Sequence, residues 1–242
     1  MRLRGAEIKS VSIPEGVIAI ATSTFKDCKN LVTVALPNSL EKIGYNVFMN
    51  CSKIQLLDFS KTKLTEVSGK CFAGCTELLN VYLPESVTHI EYRAFYQCSS
   101  LKSLKLPSNL TKMESYAIED CASLATLTIP TKLNLSFIDG VCIYNVPKLD
   151  KIIFDEGRER IEGYAFIDIT SSPVIQIPES VTFFSPYVFF THGAVAFVFE
   201  GDCPEYDASV AFYGEPTIYY DSTKSGWDEC TWSEQYNLKP KQ

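Results

Sequence analysis

The 242-residue sequence has only two histidines, His89 and His192, and no pair of cysteines separated by two residues. A structural zinc site requires four convergent cysteine or histidine ligands, and a cysteine nucleophile requires a base within hydrogen-bond reach. The sequence also lacks a glycine-rich phosphate loop and a Gly-x-Ser-x-Gly motif, the signatures of phosphate-binding proteins and of serine hydrolases. We therefore expect no metal site, no cofactor and no enzymatic activity.

Long apolar runs and clusters of basic residues are absent as well. The longest apolar run, Ala194 to Phe199, is far below the roughly 20 residues that a membrane-spanning helix requires. The 22 basic and 29 acidic residues give a formal net charge of −7, whereas proteins that bind nucleic acid carry basic surfaces. The sequence thus predicts neither insertion into a membrane nor a nucleic-acid partner.

The sequence does contain an internal repeat. A Leu-Pro pair or its equivalent recurs at a nearly constant interval along the chain, and the interval, about 23 residues, is typical of solenoid proteins. The repeated proline position holds Pro14, Pro37, Ser60, Pro84, Pro107, Pro130, Asp155, Pro178 and Gly201.

Each repeat combines a short strand with a tight turn. Leu104 and Leu106 alternate with Ser103 and Lys105, which predicts a short strand with one buried face. Within residues 87–98 the apolar positions end on a pair three residues apart, the spacing of a single helical or 3₁₀ turn. Because so short a unit cannot bury its own apolar positions, each unit must stack on its neighbours. We predict about nine such turns over residues 1–218, closed by a capping tail over residues 219–242.

The repeat pattern LxxLxLPxSLxxIxxxAFxxCxxL resembles the BspA-type leucine-rich repeat. The resemblance extends over nearly the whole chain and is clearest in residues 31–44, 78–101 and 174–190. It implies a repeat solenoid, a leucine-rich-repeat right-handed superhelix with short parallel β-strands and short helical or 3₁₀ turns. Members of this family are commonly surface or secreted proteins of bacteria and of protozoan parasites or commensals. They are associated with adhesion to host proteins and cells, and the family has no catalytic residues.

Two inward positions of the repeat are expected to form columns in the core. One holds five of the nine cysteines, and valine or isoleucine in later turns, so it requires a small apolar side chain. An odd number of cysteines in a chain of this length does not indicate a disulfide framework, and we expect none of the nine to form a disulfide. The five cysteines are Cys28, Cys51, Cys75, Cys98 and Cys121. The second column consists of Phe25, Phe48, Phe72, Phe95, Phe166 and Phe189.

The outward residues of the strands form the candidate binding surface, because solenoids bind partners on extended faces of this kind. This row is polar in its centre and apolar near the C-terminus, and contiguous exposed apolar surface marks interaction sites. An alternative is that the tail with Trp227 and Trp232 covers the apolar end as a cap. The candidate partner-binding residues are Tyr82, Ile153, Val174, Phe197 and Phe199.

Two functions from different classes are compatible with these patterns. The first is a non-catalytic protein-binding or adhesion module of a surface or secreted protein, with a host extracellular-matrix or cell-surface protein as partner. Since Ile8, Val11 and Ile13 already occupy repeat positions, we expect the chain to be a piece of a longer exported protein. The second is an intracellular scaffold or assembly repeat in the cytoplasm, which the lack of a signal peptide and the expected absence of disulfides would favour.

Overall fold

The computed structural model describes residues 3, 5, 7–134, 142–161, 166–167, 171–185, 189–190, 195–206, 212–213, 215–234 and 236–241. These residues form a β-solenoid of about eight turns with about 23 residues per turn, which confirms the predicted repeat solenoid with parallel strands. Within these ranges the only helix is the 3₁₀ helix η1, Thr231–Glu234. No helix of the described residues has the length and apolar character needed to cross a membrane.

The first ladder is a column of short parallel strands, in which side chains alternate between the core and the surface. Leu104 is buried at the centre of its strand, whereas Ser103 and Lys105 are exposed, as the period-two alternation predicts. The strands of the first ladder are β1 Ser10–Ser12, β3 Thr33–Ala35, β5 Leu56–Asp58, β7 Asn80–Tyr82, β9 Ser103–Lys105, β12 Thr126–Ile129, β14 Lys151–Phe154, β17 Val174–Ile177, β20 Ala196–Phe199, β23 Thr217–Tyr220 and β24 Asn237–Pro240. Within this ladder, the seven strands from β9 to β24 form one continuous parallel sheet. The pair β5–β7 stacks on β9, and the pair β1–β3 stacks on β5.

Two-residue strands form the other sides of the solenoid. In the second ladder the outward residue precedes a buried apolar one, as in His89 and Ile90. The strands of the second ladder are β2 Ala19–Ile20, β4 Lys42–Ile43, β6 Glu66–Val67, β8 His89–Ile90, β10 Lys112–Met113, β15 Arg160–Ile161, β18 Phe183–Phe184 and β21 Glu205–Tyr206. The third ladder, as far as the structure describes it, lies in the C-terminal half and contains β11 Ile118–Glu119, β13 Ile143–Tyr144, β16 Phe166–Ile167, β19 Phe189–Phe190 and β22 Phe212–Tyr213.

In the N-terminal half, the third side of each turn is a pair of β-turns instead of the predicted helical or 3₁₀ turn. The Cys98 N–H donates to the Phe95 carbonyl at 3.3 Å, and Gln97 between them has a φ of 56°. A left-handed third residue is typical of a type II turn and prevents the turn from continuing as a helix. It also leaves the Phe95 N–H able to donate to the Ala117 carbonyl of the next turn at 2.9 Å. The left-handed residues come in pairs four residues apart: Ser23 and Asp27, Asn46 and Asn50, Lys70 and Gly74, Arg93 and Gln97, and Tyr116 and Asp120.

The predicted phenylalanine column is present in the core. The rings of Phe25, Phe48, Phe72 and Phe95 stack with centroid separations of 5.5, 6.3 and 5.2 Å, and all four side chains are buried. This confirms the prediction for the N-terminal half. The side chains of the two later members, Phe166 and Phe189, lie outside what the structure describes.

The predicted cysteine column runs beside the phenylalanines. All five cysteines are fully buried and none takes part in a disulfide, as the sequence predicts. The Cys98 thiol also donates a hydrogen bond to the Phe72 carbonyl of the preceding turn at 3.3 Å. Equivalent bonds of 2.8, 3.0, 3.1 and 3.2 Å are made by Cys28, Cys51, Cys75 and Cys121. Each thiol therefore fills space and also joins consecutive turns.

The turns become shorter towards the C-terminus. The register pairs Lys151 with Val174, Val174 with Ala196, Ala196 with Thr217, and Thr217 with Asn237. From β17 onwards each turn is therefore one residue shorter than the turn before it. The sheet continues across the predicted boundary between residues 218 and 219, which lies within β23.

Two tryptophans pack against the core near the C-terminus. The ring of Phe199 lies 5.3 Å from that of Trp227 and 5.4 Å from that of Trp232, and both tryptophans are buried. Docking of this segment brings Cys230 against Cys203, and the two form a disulfide. The expectation that no cysteine forms a disulfide is therefore wrong for this pair, while the other seven are reduced and buried.

Candidate binding surface

The outer face of the first ladder exposes two large apolar side chains on neighbouring strands. Leu56 on β5 is 49% exposed and Tyr82 on β7 is 51% exposed. The register pairs Leu56 with Asn80 and Asp58 with Tyr82, so Leu56 and Tyr82 are diagonal neighbours. Diagonal pairs on a sheet are close enough for an aromatic and a long aliphatic side chain to act together. We call Leu56 and Tyr82 the Tyr82 patch.

A shallow hollow of about 360 Å³ lies beside the Tyr82 patch. Tyr82 forms part of its wall together with Pro84, Glu85, Lys105 and Pro107. The Glu85 carboxylate accepts hydrogen bonds from the Ser108 N–H and hydroxyl at 2.6 and 2.7 Å, and these bonds lower the pKa of Glu85. The Lys105 ammonium lies 3.5 Å from the other Glu85 oxygen in an exposed pair. An apolar anchor with a polar rim on one side is the usual composition of a protein-binding spot.

The second group of predicted contact residues lies further along the same face. Ile153 on β14 is partly exposed, and Val174 on β17 is 38% exposed. The register pairs Val174 with Lys151, and Ile153 with Gln176, so Ile153 and Val174 are diagonal neighbours like the two residues of the Tyr82 patch. We call Ile153 and Val174 the Val174 patch.

Phe197 and Phe199 do not belong to this outer face. Both side chains are buried, with 1% exposed, and the outward residues of β20 are Ala196 and Val198. The turn that leads into β20 is one residue shorter than the turn that leads into β17, and a shift of one residue exchanges the two faces of a strand. The prediction that these phenylalanines point outwards is therefore wrong. The Phe199 ring contacts both tryptophans, as the cap alternative predicts.

The structure keeps the two patches apart. Strands β9 and β12 lie between β7 and β14 in the first ladder. Three strand spacings correspond to roughly 14 Å, at about 4.8 Å for each neighbouring pair. The predicted residues thus form two separate apolar spots on one face, with the polar residues of β9 and β12 between them.

Two residues of this surface were not among the candidates. Leu56 is as exposed as Tyr82, although the sequence shows it only as an outward residue of its strand. Val198 pairs with Gln176 on the outer face. A constant repeat length assigns Val198 to the inner face, because the turn before β20 is one residue shorter. Alignment of the strands by their large inward residues, Ile175 with Phe197, would have revealed the correct register.

The buried thiols offer no reactive group at neutral pH. Burial raises the pKa of Cys51 and Cys121 to about 12, and it raises the pKa of Cys98 well above its ordinary value. A cysteine nucleophile acts as the thiolate, which these environments disfavour. The column is thus structural, and the outer face of the first ladder is the better candidate for function.

A family model shows where the repeats lie. The model of the BspA type leucine-rich repeat region matches residues 3–121 and 65–196, with six copies. No curated protein sequence matches the chain.

Solved structures of bacterial leucine-rich repeat proteins resemble this one. A leucine-rich repeat protein from Bacteroides ovatus superimposes with a TM-score of 0.62 at 19% identity, over 97% of this chain and 66% of that one. The chain thus spans just under two thirds of that protein's length. The leucine-rich repeat protein of T. pallidum gives a TM-score of 0.45 at 20% identity, over 78% of this chain and 73% of that one. Because the family model covers most of its residues, this chain belongs to the BspA-type leucine-rich repeat family.

Proposed function

We propose that this chain is a non-catalytic protein-binding module that acts outside the cell in adhesion, with a host matrix or cell-surface protein as its partner. The observation that carries the proposal is the exposed Tyr82 patch on the outer face of the first ladder. Isolated apolar residues are normal on a protein surface. Two large ones side by side on a rigid sheet, next to a polar hollow, are the kind of anchor on which binding energy concentrates.

The proposed location outside the cell is supported by the family and by the disulfide. Members of the BspA-type family are commonly surface or secreted proteins. A disulfide such as Cys203–Cys230 persists in oxidising compartments and is rare in cytosolic proteins. The seven reduced cysteines do not favour the cytoplasm, because they are buried and protected by the fold in either compartment.

We also propose that residues 219–242 act as the C-terminal cap of the solenoid. An open solenoid end exposes apolar core residues and requires a covering segment. Trp227 and Trp232 supply this cover over Phe199, and the Trp227 indole N–H donates to the Gly201 carbonyl at 3.1 Å.

Biolayer interferometry of the folded chain against purified matrix proteins tests the binding function. Tyr82→Ser should weaken capture by about tenfold or more, which corresponds to about 1.4 kcal/mol, and Leu56→Ser should have a similar effect. Tyr45→Ser is the matched control, because Tyr45 is 53% exposed and lies outside the first ladder. All three variants should keep the unfolding midpoint of the parent protein, since the changed side chains are exposed.

Two results would contradict the proposal. If the panel contains no partner with measurable affinity, the adhesion function is not supported. If a partner binds the Tyr82→Ser and Leu56→Ser variants as tightly as the parent chain, the outer face of the first ladder is not the contact surface at this patch. A loss of binding in Ile153→Ser or Val174→Ser alone would then assign the contact to the Val174 patch.

A further inference from the structure

The second ladder brings one of the two histidines into a group of carboxylates. Glu66, His89 and Lys112 are the outward residues of β6, β8 and β10, which pair in parallel. The three side chains therefore lie in one column, and consecutive members are separated by the distance between neighbouring strands. Glu91 and Glu114 follow two residues after the outward positions of β8 and β10, and their backbone N–H groups continue the same stacking.

Three of these side chains converge on one point. A ring nitrogen of His89 and one carboxylate oxygen each from Glu66 and Glu91 all lie within 4.8 Å of one another. Glu66 is exposed, whereas His89 and Glu91 are half-buried. The two half-buried groups are fixed by the stacked turns, and the exposed carboxylate can adjust its position by rotation about its side-chain bonds.

Contacts from the surrounding turns hold the two fixed groups in place. One Glu91 oxygen accepts a hydrogen bond from the Gly69 N–H at 2.7 Å, and the other lies 3.4 Å from the Tyr45 hydroxyl. The His89 Nε2 lies 3.1 Å from a Glu114 oxygen, and the second Glu114 oxygen accepts from the Tyr92 N–H at 3.0 Å. A carboxylate on one ring nitrogen of a histidine orients the ring and leaves the other nitrogen available as a ligand.

The charges around His89 are only partly compensated. The Lys112 ammonium lies 3.3 Å from Glu114 and neutralises that carboxylate. Within the described parts of the chain, no lysine or arginine nitrogen lies within 4.0 Å of Glu66 or Glu91. Two negatively charged carboxylates that lie close together without a neighbouring cation favour the binding of a cation between them.

We propose that Glu66, His89 and Glu91 bind a first-row divalent metal ion such as Zn²⁺, with water completing the coordination and Glu114 acting as a positioning residue for His89. A mixed set of one imidazole and two carboxylates suits Zn²⁺ and other first-row transition-metal ions, whereas Mg²⁺ and Ca²⁺ prefer oxygen ligands alone. The site uses none of the cysteines and is independent of the proposed adhesion function. It differs from the expectation that the chain has no metal site, because the stacking brings together residues from consecutive turns.

Isothermal titration of the folded chain with ZnCl₂ tests the site, with MgCl₂ as the hard-cation comparison. We expect one Zn²⁺ per chain and no heat from Mg²⁺. His89→Ala should abolish the binding, and Glu66→Gln, which preserves shape, should weaken it by about tenfold or more. His192→Ala removes the other histidine and Glu77→Gln removes an exposed carboxylate elsewhere, and both should bind as the parent chain does.

A second measurement separates the site from loss of folding and from binding elsewhere. Co²⁺ should shift or broaden the imidazole NMR signals of one histidine in the parent chain, and the same signals should be absent from the His89→Ala spectrum. The far-ultraviolet circular dichroism of each variant should match the parent. The proposal is overturned if Zn²⁺ does not bind up to about 1 mM, or if the affinity is unchanged in folded His89→Ala or Glu66→Gln protein.

Discussion

At the scale of single residues, the cysteine column shows how a small side chain serves two purposes. The sequence predicts burial because valine and isoleucine replace cysteine in later turns, and the structure confirms full burial. The hydrogen bond from each thiol to a carbonyl of the preceding turn was not predictable, since its partner comes from backbone geometry. Cys121, for example, donates to the Phe95 carbonyl at 3.2 Å, a contact that valine cannot make.

The raised thiol pKa values predict a loss of stability at alkaline pH. The folded state binds the thiol proton of Cys121 up to about pH 12, whereas an unfolded thiol releases it near pH 8.5. The stabilisation is therefore complete below the unfolded pKa and is lost as the pH rises towards the folded value. Ionisation of Cys121 should therefore cost the folded state about 1.4 kcal/mol per pH unit over this interval.

Urea unfolding between neutral pH and about pH 10.5 measures this effect. Cys121→Val keeps an apolar side chain of similar size, so it should cost less than about 1.5 kcal/mol at neutral pH. Its free energy of unfolding should then fall less steeply with pH than that of the parent chain. Equal slopes in the two proteins would show that Cys121 does not titrate on unfolding. The comparison of variants also removes the contribution of lysines and tyrosines that ionise in the same range.

Arg158 is a residue that breaks the repeat pattern. It takes the inward position that holds Val87 and Leu110 in earlier turns, and it is 6% exposed. Its guanidinium donates to the carbonyls of Pro130 and Leu133 at 2.6 and 2.9 Å, and burial lowers its pKa. Both bonds come from Nη2, so these carbonyls provide polar contacts for that part of the buried charge, while Nε has no hydrogen-bond partner among the described residues.

At the scale of single elements, the strand register decides which side chains are available for binding. The alternation within β5, β7, β14 and β17 follows from the sequence, and the outward positions of Tyr82, Ile153 and Val174 are correct. The assignment fails at β20 because one residue is missing from the preceding turn. A missing residue in a turn leaves no mark on the apolar alternation within the strand. A constant repeat length therefore assigns the wrong face to each residue of β20, whereas alignment of Phe197 with the inward Ile175 assigns the correct one.

The tight turns are the second feature that the sequence did not fully specify. An apolar pair three residues apart is compatible with a helical turn and with a β-turn. The choice depends on the left-handed residues, and here these include Lys70, Arg93 and Tyr116, which have no special preference for that conformation. Their conformation is set by the hydrogen bonds to the next turn, which is a tertiary effect.

The stacking of the phenylalanines predicts which strands lose stability when one ring of the column is removed. Phe95→Ala should lower the free energy of unfolding by about 3–5 kcal/mol, because it opens a large cavity beside Phe72. In a stacked array each turn contacts only its neighbours. Hydrogen exchange should therefore increase first in β7 and β9, and later in β20, β23 and β24.

Tyr82→Ala in the neighbouring strand β7 is the control, since it removes an exposed aromatic ring without opening a cavity. It should leave both the unfolding midpoint and the exchange pattern unchanged. An equal increase of exchange along the whole chain in Phe95→Ala protein would mean that the solenoid unfolds as one cooperative unit.

At the scale of the whole molecule, several contacts act together at the C-terminal end of the described solenoid, where we propose a cap. The turns shorten towards this end, the two tryptophans cover Phe199, and the Cys203–Cys230 disulfide joins the covering segment to the connection after β20. The sequence predicts a cap from its aromatic residues. It does not reveal the disulfide, because these two cysteines lie outside the repeat position that the other five share.

Alkylation of the protein followed by mass spectrometry tests the disulfide directly. Denatured without a reductant, the chain should react at the seven reduced cysteines, and after reduction it should react at all nine. In the native state the seven buried thiols should react slowly, because the reagent requires an exposed thiolate. Reaction of nine cysteines without reductant would show that Cys203 and Cys230 are not joined.

The disulfide should stabilise the C-terminal turns more than the rest of the solenoid. Cys203 and Cys230 are 27 residues apart, and the chain-entropy model gives about 3–4 kcal/mol for a loop of this size. In the double variant Cys203→Ala and Cys230→Ala, hydrogen exchange should increase in β20, β23 and β24 and remain unchanged in β5 and β7. Cys142→Ala is the control, because it removes a buried thiol outside the cap and should increase exchange only around the third ladder. If the double variant keeps the exchange rates of the parent in all five strands, the tryptophan contacts alone hold the cap in place.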